Sequence, residues 1–340
     1  MNDVVVIGAG MAGLICAQQL SQAGYSVLVV EKSRGLGGRL ATRRFNETRI
    51  DHGACYLKPK GELFSKLVNL LCDRHILEVW TDTVYEFTTH TGVSAPQNRT
   101  PRYVAPEGMS AIAKFLAQDL NILLNQRVTG IDLTAEHRWH ITLESSSEEL
   151  TAKALVIAIP APQAFMLLAP LSGKVLSPAF LENLNSAEFD PCISVMSGYI
   201  ATIQPLLDWK AISFIDDDVV GWIGFDSSKR HQSPQPVFVV QSSASFAQLH
   251  LESPDLQATG KQMLEYVANI LNLPWLENPE WMQVHRWRYA FPRSPWPEKF
   301  LDAEAASPLV CCGDWCGGNL VEGAMLSGLA ASERIKQHVN

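Results

Sequence analysis

The sequence predicts an α/β protein in which a Rossmann-like dinucleotide-binding domain, assembled from both ends of the chain, is interrupted by a second, α+β domain. Three observations carry this expectation. The chain opens on a strand, a glycine loop, a helix and a second strand; another glycine-rich loop follows at once. Near the far end a strand runs through Gly313-Asp314 into a helix rich in small residues.

Val4-Val5-Val6-Ile7 is a continuous β-branched run, the pattern of a buried parallel strand. Gly8-Ala9-Gly10-Met11-Ala12-Gly13 then gives G-x-G-x-x-G, and Leu14, Ala17 and Leu20 recur at helical spacing before a stop at Gly24. Val27-Leu28-Val29-Val30 supplies the second strand and ends in Glu31 and Lys32. Gly8 suits the tight turn, Gly10 lets backbone approach a pyrophosphate, and Gly13 lets helix and strand pack closely. The helix start at Met11 and Ala12 offers unpaired N–H groups to phosphate. Glu31 can accept hydrogen bonds from ribose hydroxyls and would repel a 2′-phosphate. A glycine-rich turn of some other α/β protein is the alternative, and the flanking strands and the acid weigh against it.

Gly35-Leu36-Gly37-Gly38-Arg39 follows directly. This loop resembles the glycine doublet of flavoproteins with two dinucleotide-binding domains, which favours FAD over NAD, with Arg39 offering a donor fork to phosphate. At the far end, Leu309-Val310-Cys311-Cys312 reads as a strand leading to Gly313-Asp314. The helix beyond it carries Val321 and Ala324 in its first turns and small residues at 323, 327, 328, 330 and 331. Its N-terminus suits the electron-rich side of a flavin, and Asp314 suits a ribityl or phosphate-proximal hydroxyl; packing alone is the alternative. Arg127 to Ile131, with Val128, looks like the strand that passes the adenine in such proteins. Ala154 to Pro160 is a buried strand broken by proline. Val104 to Ser110 leads into an amphipathic helix through Leu120.

Of the 340 residues 47% are hydrophobic, and 27 Lys and Arg face 35 Asp and Glu for a net charge of −8. This excludes disordered, collagenous and disulfide-scaffold classes. It also argues against a basic nucleic-acid-binding face. The longest apolar run, Ala154 to Pro162, is far short of the ~18 residues a membrane span needs. The seven cysteines are scattered and odd in number, and Met1-Asn2-Asp3 shows no basic leader segment. Free thiols in a cytoplasmic protein are expected. Cys311, Cys312 and Cys316 lack a ligand-spaced histidine, so no metal is expected; covalent flavin attachment through Cys316 is an alternative.

Taken together, the motifs resemble the renalase-type branch of the flavin amine oxidase superfamily over nearly the whole chain. The resemblance rests on Gly35 to Arg39 with Thr42-Arg43, on Asp51-His52-Gly53-Ala54-Cys55-Tyr56, and on His285-Arg286-Trp287-Arg288-Tyr289-Ala290. Gly313-Asp314-Trp315-Cys316-Gly317-Gly318, Val104 to Ser110 and Gly221 to Lys229 add to it. It implies a p-hydroxybenzoate-hydroxylase-like FAD domain over 1–57, 102–162 and 285–340, with a substrate domain over 58–101 and 163–284. It also implies oxidation of aberrant 2- or 6-dihydro isomers of NAD(P)H, with O2 as acceptor and NAD(P)+ and H2O2 as products. An amine or other small-metabolite oxidase of the same superfamily is the alternative. A third is a flavin-holding redox sensor with negligible turnover.

The substrate-positioning candidates are His52, Tyr56, Trp287 and Tyr289, the aromatic ones as walls for a flat substrate. Hydride loss from a dihydronicotinamide leaves an aromatic pyridinium and needs no general base. His285 shares a motif with Trp287. Trp222 and Phe225 are expected in core packing, and Lys229 as a solvated lysine. Arg43, Arg286 and Arg288 suit either an anion or a structural ion pair. The polar stretches 90–100 and 227–236 read as lids or surface turns.

Overall fold

The computed structural model describes residues 2–144, 150–202, 207–318 and 320–338. The chain forms two compact units. The first comprises Met1–Leu40, Ile112–Phe189 and Phe291–Asn340, and the second Ala41–Ala111 and Asp190–Ala290.

The first unit is built on an eight-stranded sheet. Its centre is parallel: Asn2–Ile7 lies between Val27–Val30 and Leu150–Ile157, and Asn121–Leu123 extends the sheet beyond Val27–Val30. The long strand Leu150–Ile157 is shared on its other side. Its first half pairs antiparallel with Trp139–Leu143, and its second half pairs parallel with Leu309–Cys311. Val4, Val5 and Val6 are fully buried, as the unbroken β-branched run requires of a strand covered on both faces. Helix Met11–Gln22 follows the first strand, and Leu320–Lys336 packs against it so tightly that a Cβ at Gly328 would sit 2.3 Å from the Ala12 carbonyl oxygen. This is why the C-terminal helix is made of small residues. Each end of the chain thus supplies strands to one sheet, as the discontinuous domain requires.

A large apolar core fills this unit, with Val5, Leu28, Trp139, Leu155, Leu168, Phe180, Leu184 and Trp315 among its members. Helices Ala161–Leu168 and Pro178–Asn185 contribute to it, so 163–189 packs with the dinucleotide unit.

The second unit is a seven-stranded sheet in the order 281–292, 189–198, 237–242, 220–225, 211–214, 85–88, 92–94. It is mixed, since Ala211–Phe214 pairs parallel with Tyr85–Thr88 among antiparallel neighbours. Phe238, Val240, Phe246, Met263, Leu264 and Val267 join its strands to helices Ala244–His250 and Leu256–Ile270. Ser243 and Asp255 cap these helices by accepting the N–H of Phe246 and Ala258. Two small antiparallel pairs, Thr42–Phe45 with Thr48–Asp51 and Glu78–Thr81 with Arg102–Val104, complete the unit. The segments 41–57 and 102–111, grouped with the dinucleotide domain in the sequence-based division, cluster here, because hydrogen bonds tie both to Arg230.

Candidate flavin cradle and substrate-facing clusters

In the first unit the predicted phosphate loop is formed by backbone. Gly8 has φ +107°, which favours glycine, and a Cβ there would meet the Ala158 carbonyl oxygen at 2.5 Å. A Cβ at Gly13 would lie 2.0 Å from the Gly8 oxygen, so strand and helix approach closely at this residue. Gly10 is different. It has extended backbone, it precedes the helix without a side-chain cap, and among the described residues no atom outside its chain neighbours lies within 4 Å of where its Cβ would be. None of the described residues requires a glycine there. The open space beside uncapped N–H groups at the start of Met11–Gln22 fits a pyrophosphate.

The second glycine loop lies against the first. Gly37 donates its N–H to the Ala9 carbonyl at 2.8 Å, Gly10 and Gly37 form a parallel bridge, and Gly38 faces the Gly10 Cα. Glu31 is buried at the end of its strand and accepts the N–H of Ala9 through Oε2 and of Ser33 through Oε1, both at 2.8 Å. Its carboxylate therefore shapes the loop, and each oxygen keeps a second lone pair for a hydroxyl. Lys32 donates to Gln163 Oε1 at 3.3 Å; burial first, then Arg127, holds its ammonium below the usual lysine range.

Arg39 and Asp314 meet, although 275 residues separate them. The guanidinium grips the carboxylate through two bonds of 2.6 Å, with the Asp314 side chain nearly fully buried. A bidentate pair of this kind fixes both glycine-bearing segments. Gly313 donates its N–H to Ser327 Oγ at 2.9 Å, which anchors the strand end to the C-terminal helix. Ala324 is buried and Val321 half-buried in that helix's first turns, while Asn319 lies outside the described residues. Val128 begins the strand Val128–Leu133 at one end of the sheet. Cys311, Cys312 and Cys316 are buried free thiols; burial pushes Cys312 up to about 12 and Cys316 higher still, so Cys316 is a poor nucleophile. Among the described residues no group of three His, Cys, Asp or Glu could hold a metal ion.

In the second unit the predicted residues form two clusters. His52, His285 and Trp287 pack ring to ring, with centroids 4.8, 5.4 and 4.3 Å apart. The Trp287 indole donates to the His52 carbonyl at 2.8 Å. His52 is 5% exposed and its Nδ1 has no hydrogen-bond partner among the described residues. Burial, then the neighbouring His285 and Arg43, lowers the His52 imidazole to about 4; burial and Arg43 do the same for His285. Both rings are neutral at pH 7. Tyr289 follows Trp287 by two residues on Trp281–Pro292 and so shares its face of the strand.

Tyr56 stands in the other cluster, 5.3 Å from Trp222 and 5.3 Å beneath the guanidinium of Arg102. Trp222 and Phe225 are packed, the latter stacked on Phe238 at 4.7 Å. Arg43 donates to Gln283, Arg286 to the Ser253 carbonyl, and Arg288 pairs with Glu252.

One expectation is overturned. Lys229 is not solvated: it is 2% exposed, and the stretch 227–236 begins as a buried 3-10 turn. Its Nζ lies 2.7 Å from Asp226 and 3.7 Å from Asp51, and 5.3 Å from the centroid of the Trp80 ring. Arg230 completes a neutral quartet, 2.7 Å from Asp51 and 3.1 Å from Asp226. Asp51 also accepts the Thr42 hydroxyl and the Met109 N–H. Burial opposes the charged forms of Lys229 and Asp51, but their partners outweigh it: Lys229 is raised and Asp51 lowered. The missed signal was local. Asp226, Lys229 and Arg230 stand at i, i+3 and i+4 after a buried strand, a spacing that gathers charges on one face.

A Rossmann-like unit with a double glycine cradle and a mixed-sheet unit define a dinucleotide-binding flavoprotein. The chain belongs to the flavin containing amine oxidoreductase family, whose model matches residues 87–336; the model of the NAD(P)-binding Rossmann-like domain matches 6–71. Its cofactor is FAD, as in the flavin amine oxidases. The structure resembles that of putrescine oxidase bound to putrescine, with a TM-score of 0.74 and 14% identity over 99% of both chains. Cyclohexylamine oxidase from Brevibacterium oxydans IH-35A gives a TM-score of 0.70, also at 14% identity and 99% of both chains. In sequence, 68 residues are 38% identical to an L-amino acid dehydrogenase of Synechocystis sp.; they are 20% of this chain and only 14% of that protein's length. Among the described residues no helix is long and apolar enough to cross a membrane.

Proposed function

We propose that the chain is an FAD-dependent oxidase that takes a hydride from an amine or another small metabolite and passes the electrons to O2, releasing H2O2. The family match over 87–336 carries this reading. Bound FAD supplies the hydride acceptor and its reoxidation by O2. Gly8, Gly10, Met11, Ala12 and Gly13 would hold the pyrophosphate, Glu31 and Lys32 the ribose side, and Gly37, Gly38 and Arg39 the linking phosphates. Val128 would lie on the adenine side, and Gly313, Asp314, Val321 and Ala324 would hold the ribityl and flavin end. His52, Tyr56, Trp287 and Tyr289 orient the substrate.

One observation favours the narrower, renalase-like reading, in which the donor is a 2- or 6-dihydro isomer of NAD(P)H. The His52–His285–Trp287 cluster is aromatic and uncharged at pH 7, and the Arg43 charge acts against protonation of both imidazoles. That environment suits an uncharged dihydropyridine and disfavours an ammonium ion, which must first lose a proton.

Anaerobic stopped-flow mixing of flavin-loaded protein with two donor panels separates the two. Flavin bleaching by amines at catalytic rates supports the broader reading and sinks the narrower. Fast bleaching by dihydronicotinamide isomers, with amines and ordinary NADH slow, selects the narrower. Bleaching by neither panel contradicts the narrower reading and the amine form of the broader one.

A further inference from the structure

Arg102 stands out among the cations of the second unit. It is 8% exposed, yet among the described residues no carboxylate pairs with it. One guanidinium nitrogen donates to the carbonyl and hydroxyl of Thr100, and the ring of Tyr56 lies 5.3 Å below. Its Nε is buried with no hydrogen-bond partner among the described residues. Two neutral oxygens and an aromatic face repay only part of what desolvating a full charge costs.

The surrounding backbone adds charge of the same sign. Leu57 and Tyr103 exchange N–H···O bonds of 2.8 and 2.9 Å, an antiparallel bridge that places Lys58 opposite Arg102. Like charges directly opposite are destabilising. Lys58 registers this: the Arg102 charge first, then burial and Lys60, holds its ammonium below the usual lysine range. Lys58 and Lys60 are exposed while Arg102 lies beneath. A buried guanidinium with an unused edge, with the Lys58 ammonium opposite, has no carboxylate counter-charge among the described residues.

We propose that Arg102 and Lys58 form an anion subsite beside Tyr56 that takes an oxyanion group, a carboxylate or a phosphate, carried by the substrate. The unused Nε edge offers parallel donors that match two oxygens of such a group, and Lys58 adds a point charge. The description of the anion as part of the substrate rests on the oxidase reading above, whereas anion binding itself does not.

The test is therefore a binding measurement without turnover, on flavin-loaded protein whose glycine cradle is already filled. Inorganic phosphate and acetate are titrated separately at constant ionic strength, read by thermal shift and, for phosphate, by 31P line broadening. Saturable binding of at least one anion is expected, and the tighter one names the source. Arg102→Gln should weaken it about tenfold or more, since a charge-assisted bidentate contact is lost. Lys58→Gln, at an exposed position that leaves the fold intact, should weaken it about threefold. No saturable binding of either anion, or unchanged binding in both variants, overturns the proposal. If Arg102→Gln does not fold, Lys58→Gln decides by the same criterion.

Discussion

Lys229→Met is expected to destabilise the protein by about 3–5 kcal/mol, the cost of leaving a buried charge without its partner. The quartet of Asp51, Asp226, Lys229 and Arg230 is neutral as it stands, with every side chain 4% exposed or less. Removing the ammonium leaves two carboxylates facing one guanidinium. The second substitution Asp226→Leu restores neutrality as an Asp51–Arg230 pair, so the double variant should be more stable than the sum of the single losses. Urea midpoints of the four proteins give the coupling directly. A loss below about 1 kcal/mol for Lys229→Met would show that water reaches the lysine, as for an ordinary surface pair. The acid limb has a defined sign. The Asp51 carboxyl is lowered in the fold, so its contribution is present above the unfolded carboxyl's ~3.9 and is lost as pH falls through the folded value.

The second large effect separates two glycines of one loop. Gly13→Ala forces a Cβ to within 2.0 Å of the Gly8 oxygen, a backbone atom that cannot step aside. Both folding and FAD retention should suffer. Gly10→Ala meets no atom of the described residues within 4 Å beyond its chain neighbours and has ordinary extended backbone, so the thermal midpoint of the flavin-free protein should barely move. In the loaded protein the new methyl enters the space assigned to the pyrophosphate. Overpacking of about 1–3 kcal/mol corresponds to roughly five- to 150-fold in the FAD Kd. Fluorescence titration of FAD into the two variants, beside their flavin-free melts, distinguishes the roles. Wild-type affinity in Gly10→Ala would mean that the space serves something else.

The same loop explains how much was legible in the sequence. Gly8, Gly10, Gly13, Glu31 and the Gly35–Arg39 loop are contiguous motifs whose spacing follows from one turn and one strand end, and the fold they predict is the fold observed. Arg39 with Asp314 could be expected at one site but not as a pair, because a 275-residue separation leaves no local periodicity to read. Lys229 was misjudged for a related reason. Its partners Asp226 and Arg230 are local, but Asp51 comes from a distant hairpin, and a lysine in a polar run normally faces water. Arg102 is illegible in the sequence: a strand of three residues carries no sign that its arginine is buried, and the bridge to Leu57 beside it joins segments far apart in the chain. Tyr56 and His52, only four residues apart, fall into different clusters, which no spacing rule foretells.

The two glycine loops and the C-terminal helix are expected to hold FAD without a covalent bond. Acid or heat denaturation of purified protein, followed by chromatography of the supernatant, tests it most directly. The expected result is a yellow protein that releases one FAD per chain and leaves a colourless pellet. A colourless protein that takes up no added FAD, or flavin that stays with the polypeptide after denaturation, would contradict it.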